Sequence, residues 1–238
     1  YEKERDPAFA LRQSIAIVQA KVENQRQVLI RHQQDEPGDQ PEAETAIAEI
    51  GRIAPSIAGA PDLAALLGFQ GAGARAYWGA FESLLKAEGV AFPGRRQHPA
   101  PDPVNAVLSF GYVLLSSMIH SLLDGLGFDP HLGFFHEESP GRPALALDII
   151  EPFRAPVVDR FALRLFNLHM ITPADFTADT EGGLRMSKDA LRLFFREWEK
   201  HLRKLEIRLQ LREQAALYRK LYLGEIPTIT PWTWRARS

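Results

Sequence analysis

Apolar residues recur every three or four positions over most of the chain, the spacing that gathers them on one face of an α-helix. Three such segments begin at residues that favour helix starts. The first follows Asp6 and Pro7, the second follows Pro61, and the third follows Asp102 and Pro103. An acidic residue can cap the free N–H groups of a first turn, and proline has no N–H to lose there. These segments therefore predict three long helices.

Prolines and glycines make two other helical segments less regular. A weaker helix is predicted after Pro41. It contains residues that are expected to interrupt it, namely Gly51, Pro55, Gly59 and Pro61. A stronger pattern covers about residues 144–169, with Pro152 and Pro156 either near its first turns or kinking it.

The last predicted helix is the longest and covers about residues 187–223. Residues 179–186, before it, are expected to form a small hairpin or a turn. No internal repeat is present. The pattern as a whole predicts an all-α fold, with a single helical domain over residues 1–223 and an extended tail rich in Pro and Trp over residues 224–238.

The composition excludes several classes of site. Among 238 residues, 45% are hydrophobic and 24% charged, which is ordinary for a globular protein. Cysteine is absent, so disulfides and thiolate chemistry are excluded, and a metal would need oxygen and imidazole ligands. No apolar run is judged to reach membrane-spanning length and no signal peptide is recognised, so we expect a cytoplasmic protein without a membrane segment.

Basic residues are concentrated in the last predicted helix, although the chain as a whole has a formal net charge of −2. Residues 185–220 contain eleven basic and five acidic side chains, a local balance of +6. Five of the cations follow helical spacing and form a basic stripe: Lys188, Arg192, Arg196, Lys200 and Arg203. Such a stripe can neutralise DNA phosphates. Because acidic residues are interspersed, an ordinary solvated helix face is an equally good interpretation.

Residues that can bind a metal are densest in one short region: His136, Glu137, Glu138, Asp148 and Glu151. Asp148 and Glu151 are three positions apart, so a helix places both carboxylates on one face, and His136 lies in the preceding loop. One imidazole with two or three carboxylates suits Mg²⁺ or Mn²⁺ better than structural zinc. The alternative is that the acidic pair is a solvated helix face and the histidine has no ligand role.

Motifs of other enzyme classes are absent from the sequence. There is no HExxH zinc motif and no GxSxG motif, and the GAGAR segment over residues 71–75 lacks the Lys-Ser/Thr pair of a phosphate-binding loop. Gly71 and Gly73 lie within a predicted helix, which indicates close approach by another backbone or by DNA. A tight helix–helix contact is the alternative.

Four segments carry a resemblance to a known family: AIVQAKVENQRQVL (16–29), GFQGAGARAYW (68–78), GRRQHPAPDPVNAVLSFGYVLL (94–115) and GFDPHLGFFHEESPGRPALALDIIEPFR (127–154). They are similar, in this order, to an Ala…Lys…Asn-Gln helix, a Glu-Gly-x-x-Ala-x-x-Tyr segment, an Arg-rich loop with an Asp-Pro-x-Asn-x-x-Leu helix, and a His loop with a Leu-Asp-x-x-Glu-x-Phe-Arg signature. These four blocks resemble the CRISPR-associated protein 1 family, the integrase subunit of spacer acquisition. The resemblance extends from about residue 7 to about residue 222.

The resemblance implies a protein in which an N-terminal β-rich domain precedes a helical catalytic domain. The chain opens at Tyr1 rather than at Met, so we expect the β-rich part to be missing from it. The family's metal, Mg²⁺ or Mn²⁺, is held by a glutamate, a histidine and a further acidic residue. By motif these catalytic positions are Gln70, His136 and Glu151, with Asp148 beside the last as a further metal ligand.

At Gln70 the chain departs from the family pattern, which has glutamate there. Glutamine keeps the shape of glutamate but has no charge, and hard divalent ions prefer anionic oxygen. We therefore expect the ion to bind more weakly and the activity to be impaired. Because the rest of the motif is intact, the pattern favours an engineered Glu→Gln change over natural decay.

The implied reaction is a transesterification in which the 3′-hydroxyl of a captured DNA fragment attacks a phosphodiester at the edge of a CRISPR repeat. The implied partners are CRISPR-associated protein 2, a second copy of the chain and double-stranded DNA, with CRISPR-associated protein 4 as a further candidate.

Candidate DNA contacts come from the family-like segments and the basic stripe: Arg75, Arg95, Arg96, Asn105, Lys188 and Arg192. For Asn105 the alternative is a helix-start contact, and for the loop arginines it is solvated charge. A catalytically inactive DNA-holding subunit and a helical metal-dependent nuclease outside CRISPR are the alternative functions.

Overall fold

Most of the computed structural model is α-helical, and it describes residues 6–36, 38–96, 99–136, 141–180 and 182–235. The helices in this part of the chain are α1 (Pro7–Asp35), α2 (Pro41–Ala58), α3 (Leu63–Phe81), α4 (Pro103–Gly125), α5 (Ala144–Ile150), α6 (Arg160–Asn167), α7 (Lys188–Lys204) and α8 (Ile207–Leu223). Short 3₁₀ turns lie at Glu82–Leu84 and Pro173–Asp175. The prediction of a mostly helical fold is confirmed.

Three of the long helices begin at acidic caps. The Asp6 side chain accepts a hydrogen bond from the N–H of Ala8 at 2.9 Å. The carboxylates of Asp62 and Asp102 each accept at 2.8 Å from the N–H three residues further on. Each cap satisfies a backbone donor that has no partner within its own helix. The starts predicted at Asp6 and Asp102 are confirmed.

The expected interruption of α2 is wrong. The helix passes Gly51 and Pro55 and ends at Ala58. Ile50 and Ile57, on either side of the proline, are both fully buried. Their packing offsets the hydrogen bond that proline cannot make, because most helical stability in a folded protein comes from the buried face.

The single helix predicted over residues 187–223 is also wrong, since the chain forms α7 and α8 instead. They are separated at Glu206, whose backbone has a left-handed φ of 54°. Leu202 before this turn and Ile207 and Leu211 after it are buried. The turn therefore lets two apolar faces reach the core from different directions, at the cost of a conformation that non-glycine residues rarely adopt.

The segment predicted as a kinked helix over residues 144–169 is helical and irregular. α5 is followed by a 3₁₀ turn at Glu151–Phe153 and then by a π-helical turn at Arg154–Asp159. Pro152 and Pro156 lie within these two turns. Neither proline has an N–H, so each removes one hydrogen bond from an i→i−4 ladder. Both prolines lie beyond the first turns of this segment and within its irregular part, which agrees with the second of the two predicted alternatives.

A two-stranded antiparallel hairpin is formed by β1 (Phe176–Ala178) and β2 (Leu184–Met186). The prediction placed a hairpin or turn within residues 179–186, so the first strand begins earlier than expected. The N–H of Leu184 donates to the carbonyl of Ala100 at 3.0 Å, which joins the hairpin to the loop before α4.

α1 packs against α2, α3 and the irregular turns over residues 151–159. The tail returns across this helix in an extended conformation. The Asn24 side chain of α1 accepts from the N–H of Trp234 at 2.8 Å and donates to the carbonyl of Trp232 at 3.1 Å. These paired bonds fix the tail along α1, beside the turns that carry the candidate site.

α4 is long and apolar enough to cross a membrane by length and composition alone. The sequence-based statement that no apolar run reaches this length is therefore wrong for this helix. Within the protein 44% of its most apolar window is buried, and Leu108, Leu115 and Ile119 are fully buried. A core helix passes the same test because a protein interior and a lipid interior favour the same side chains.

Gly111 of α4 lies directly against Val158, and an added Cβ would be 2.6 Å from Val158 Cγ1. We expect Gly111→Ala to lower the free energy of unfolding by about 1–3 kcal/mol through overpacking. The control is Gly125→Ala, at the exposed end of the same helix with nothing within 4 Å of its added Cβ. Urea denaturation should show no loss of stability for the control. Equal stability of the two variants would contradict this packing argument.

Candidate active site

Four contacts converge on the carboxylate of Asp148, which is fully buried. The N–H groups of Phe134 and Phe135 donate to Oδ2 at 2.6 Å and 3.0 Å, and the N–H of His136 donates to Oδ1 at 3.0 Å. The ring nitrogen Nδ1 of His136 lies 2.7 Å from Oδ1. The loop can wrap this closely because of Gly133, where an added Cβ would be 2.9 Å from Asp148 Oδ2.

The Asp148 carboxylate sets the orientation of the His136 ring. A carboxylate partner at Nδ1 favours the proton on that nitrogen, which leaves Nε2 as the acceptor of the neutral ring. Nε2 lies 3.7 Å from Glu151 Oε1. A carboxylate behind an imidazole is the arrangement that orients metal-binding histidines. Asp148 thus lies beside the predicted ligands, and its hydrogen bonds favour an orienting role over direct metal binding.

Glu151 is a buried carboxylate held between two cations. Lys21 Nζ lies 2.7 Å from Oε2, and Arg154 Nε lies 2.8 Å from Oε1. Burial raises the pKa of Glu151, but Arg154, Lys21 and His136 outweigh it and lower this pKa to about 2. The carboxylate is therefore ionised at neutral pH. Neither ion pair meets strict hydrogen-bond geometry, but Lys21 at 2.7 Å from Oε2 is one of the groups that lower this pKa.

These side chains face one cavity of about 1020 Å³. Gln70 enters its wall from α3, His136 from the loop before α5, and Glu151 from the 3₁₀ turn. The three positions that the sequence predicts to converge thus line one cavity although they lie on separate segments. Four cations share this wall: Lys21, Arg95, Arg142 and Arg154.

The side chains that could bind a divalent ion in this cavity carry little negative charge. Within the described residues, no group of three or more His, Asp or Glu side chains is placed to hold a metal. Glu137 and Glu138, which the sequence also suggested, lie outside the described residues. His136 and Glu151 supply one imidazole nitrogen and one carboxylate, and Gln70 can add only a neutral amide oxygen.

Arg95 is the predicted DNA contact that lies in the cavity wall. Its guanidinium donates to Asn105 Oδ1 at 2.8 Å and to Ser109 Oγ at 3.1 Å, and lies 5.3 Å from the centre of the Tyr112 ring. Asn105 is itself fully buried, and its Nδ2 donates to Asp102 and to a loop carbonyl. This corrects the expectation that Asn105 touches DNA, because its amide is consumed in holding Arg95 and the helix start.

The other predicted DNA contacts lie away from the cavity. Arg75, a candidate DNA contact, lines a separate groove between α2 and α3. Arg96 is exposed in the loop, and Lys188 and Arg192 are exposed on α7.

In the basic stripe, every cation except Lys188 pairs with an acid of α7. That pairing favours the alternative interpretation of the stripe as a solvated helix face. A Cβ added at Gly73 would lie 3.5 Å from Val22 Cγ2 of α1, which favours the helix–helix alternative for this glycine.

Sequence reasoning missed a buried polar cluster in the wall of the cavity. Asp159 accepts hydrogen bonds from the hydroxyls of Tyr77, at 2.9 Å, and Tyr112. Burial raises the pKa of Asp159 to about 6, although the two hydroxyls and the nearby Arg95 and Arg154 act in the opposite direction. The signal in the sequence was a single acid within the apolar run VVDRFALRLF. Its two tyrosine partners lie 82 and 47 residues away, so the sequence could not pair them.

Comparison with known proteins identifies relatives of this chain. Residues 1–200 match the family model described as CRISPR associated protein Cas1. A CRISPR-associated endonuclease Cas1 2 from Rhodospirillum rubrum is 34% identical over 238 residues, covering 92% of this chain and 69% of that protein. A CRISPR-associated exonuclease Cas4/endonuclease Cas1 fusion from the same organism is 35% identical over 226 residues, covering 89% of this chain and 38% of the fusion. Two further curated relatives are matched over 55% of their own length.

Solved structures show the same fold. A chain of a partial Cas6-RT-Cas1–Cas2 complex superposes with a TM-score of 0.87 and 25% identity. The match covers 100% of this chain and 72% of that chain.

The Asp148 interaction can be tested by removing its charge. In Asp148→Asn the amide NH₂ would face backbone N–H donors, so we expect the free energy of unfolding to fall by about 1–3 kcal/mol. Asp124→Asn, at an exposed residue paired with His120 at 3.4 Å, is the control and should stay within about 0.5 kcal/mol. Urea denaturation measures both. An Asp148→Asn variant as stable as the control would refute the anchoring role of Asp148.

The raised pKa of Asp159 predicts a pH dependence of stability. An unfolded Asp titrates near 3.8 and the folded one at about 6, so the folded state binds an extra proton between these values. The stability that this proton contributes is complete below about pH 4 and is lost as the pH rises through 6, a loss of about 2–3 kcal/mol. Asp159→Asn should lack this loss. The measurement is the difference in unfolding free energy between parent and variant from pH 4 to pH 8, and a constant difference would contradict the prediction.

Proposed function

The chain belongs to the Cas1 family of CRISPR-associated proteins, and on that basis we propose that it is the catalytic part of a metal-dependent DNA integrase of CRISPR adaptation. The proposed reaction is attack by the 3′-hydroxyl of a captured DNA fragment on a phosphodiester of the repeat. One observation carries the proposal. His136 Nε2 faces the Glu151 carboxylate at 3.7 Å in a cavity whose wall also holds four cations.

The residues present fit a hard divalent ion, although weakly. Glu151 Oε2 is buried and makes no aligned hydrogen bond, and the Asp148 contact leaves His136 Nε2 available. These two groups, with the amide oxygen of Gln70, would hold Mg²⁺ or Mn²⁺. When bound, such an ion lowers the pKa of an attacking hydroxyl and stabilises negative charge on a phosphate.

The chain's own side chains have separate roles in this proposal. Asp148 keeps the His136 ring in one orientation. Arg95 is held by Asn105, by Ser109 and by the Tyr112 ring rather than by a carboxylate, so its positive charge remains available to a DNA phosphate in the cavity. Fixing a guanidinium before DNA arrives reduces the entropy lost on binding.

A second candidate function is a catalytically inactive subunit that holds DNA and supports assembly. Gln70 lacks the charge of the family's glutamate, and Lys21 and Arg154 already balance Glu151. Both observations disfavour a tightly bound ion, while Arg95 remains available for DNA. Between an active integrase and an inactive subunit, we propose an intermediate case in which the chain joins DNA with impaired activity.

The proposed partners follow from the relatives. The superposed solved structure is a complex that contains Cas2, and one relative is fused to Cas4. We propose CRISPR-associated protein 2, a second copy of the chain and double-stranded DNA as partners in a prokaryotic cytoplasm, with CRISPR-associated protein 4 as a further candidate.

Restoring the charge at Gln70 tests the proposed function. With CRISPR-associated protein 2 and Mn²⁺ present, Gln70→Glu should raise the joining of a DNA fragment to a repeat substrate by about tenfold or more, because an anionic ligand places the ion better. Duplex affinity, measured by fluorescence anisotropy, should change less than about twofold because Lys and Arg residues provide the phosphate contacts. Gln70→Ala is the matched control and should not raise joining.

Adding His136→Ala to Gln70→Glu should abolish the gain, because two ligands of one ion act as a unit. If Gln70→Glu has no effect while His136→Ala alone removes joining, glutamine is a working ligand and the charge argument is wrong. If neither change affects joining but the chain still binds DNA, the second candidate function is correct.

A further inference from the structure

A second, smaller cavity of about 270 Å³ lies where the tail crosses α1 and the connection between α7 and α8. Two tryptophans of the tail form part of its wall, Trp232 and Trp234. Its other lining side chains include four cations: Arg31, Arg160, Lys204 and Arg235. Glu206 is the one acidic residue among the described residues that line it. We call this space the tail cavity, and it shares no lining residue with the candidate active site.

The wall of the tail cavity is held in place by specific contacts. Asn24 makes one hydrogen bond to the backbone of Trp232 and one to that of Trp234. The Trp232 ring stacks on Phe153 with centroids 4.5 Å apart and planes inclined by 8°. The Trp234 ring is buried. The tail therefore forms a fixed wall of this cavity, with each of its two tryptophans anchored.

Arg160 is the central residue of the tail cavity. Its guanidinium lies 4.2 Å from the centre of the Trp234 ring. Within the described residues it has no ion pair, since the nearby Asp35 pairs with Arg31 at 2.8 Å. Burial lowers the pKa of Arg160; the nearby Asp35 charge partly offsets this, and the charge of Arg31 acts in the same direction as burial. A half-buried guanidinium without a carboxylate partner is costly, and an anionic ligand would offset that cost.

We propose that the tail cavity binds a phosphate group of a DNA strand outside the candidate active site. The proposal rests on the proposed function in that it takes DNA as the ligand. A guanidinium presents paired N–H donors that match phosphate oxygens, and stacking on Trp234 fixes the plane of that fork. The cavity lies below the usual range of small-molecule sites, about 300–1,000 Å³, so it suits a phosphate with part of its sugar.

The position of the tail cavity is compatible with a second contact on bound DNA. Arg31 lies ten residues along α1 from Lys21, which lines the candidate active site. At 1.5 Å per residue the backbone positions of these two residues are about 15 Å apart along the helix axis. A DNA strand advances about 3.4 Å per nucleotide, so a short duplex is long enough to reach both residues.

The test measures the salt dependence of duplex binding. Arg160→Gln and Lys204→Gln should each weaken binding of a fluorescent duplex roughly tenfold near 0.1 M salt. Each should also reduce the slope of log affinity against log salt concentration by about 1, the loss of one phosphate contact. Arg203→Gln is the matched control, because it removes a neighbouring exposed cation that pairs with Glu199 at 2.8 Å and does not line the cavity. It should change affinity less than about twofold. Lys204 is exposed, so its variant remains informative even if Arg160→Gln fails to fold.

Inorganic phosphate separates the possible ligands. It should quench tryptophan fluorescence in the parent and not in Arg160→Gln, and the duplex should compete with it.

If the parent binds duplex while both variants behave like the control, the tail cavity is not a DNA site although the proposed function stands. Phosphate quenching without any change in duplex affinity would assign the cavity to a small phosphate compound and overturn the DNA assignment. If binding of an acidic peptide is lost in the variants while duplex binding is kept, the partner is a protein and the proposal is also overturned. A parent that binds no duplex refutes the proposed function itself, and with it the DNA ligand.

Discussion

The Asp148 carboxylate accepts hydrogen bonds from three consecutive backbone N–H groups and contacts the His136 ring at 2.7 Å. A buried carboxylate is stable only when its acceptor sites are filled, and the loop before α5 fills them. The same contacts fix the loop to a helix and direct His136 Nε2 toward Glu151. The geometry of the candidate active site depends on this one buried group, which itself does not line the cavity.

The irregular backbone after α5 decides what else reaches the cavity. Pro152 and Pro156 lie in the 3₁₀ and π-helical turns that follow α5, and these turns carry Glu151, Arg154 and Asp159. All three of these side chains line the cavity. Each proline lacks the N–H of a helical hydrogen bond, which is consistent with the irregular backbone at this point.

Charge is distributed unequally between the surfaces of this chain. On α7 most cations of the basic stripe are paired with acids of the same helix, so they offer little net attraction to DNA. In the two cavities, Arg95 and Arg160 are held by polar or aromatic side chains instead of carboxylates. Arginines oriented without neutralisation are better suited to bind phosphate, which is why the cavities carry the functional proposals and the stripe does not.

The sequence by itself determined the mostly helical fold, the main helix starts, the irregular segment around Pro152 and Pro156, and the family. It also predicted His136, Glu151 and Gln70 as the site positions, because periodicity, caps and motifs are local properties that short segments encode. Only the tertiary structure decided that Asp148 orients His136 and that Asn105 holds Arg95. It also revealed the partners of Asp159 and the tail cavity. These features depend on contacts between residues that are 10 to 210 positions apart. They also depend on which polar groups are left without partners when they are buried, and no local sequence pattern records this.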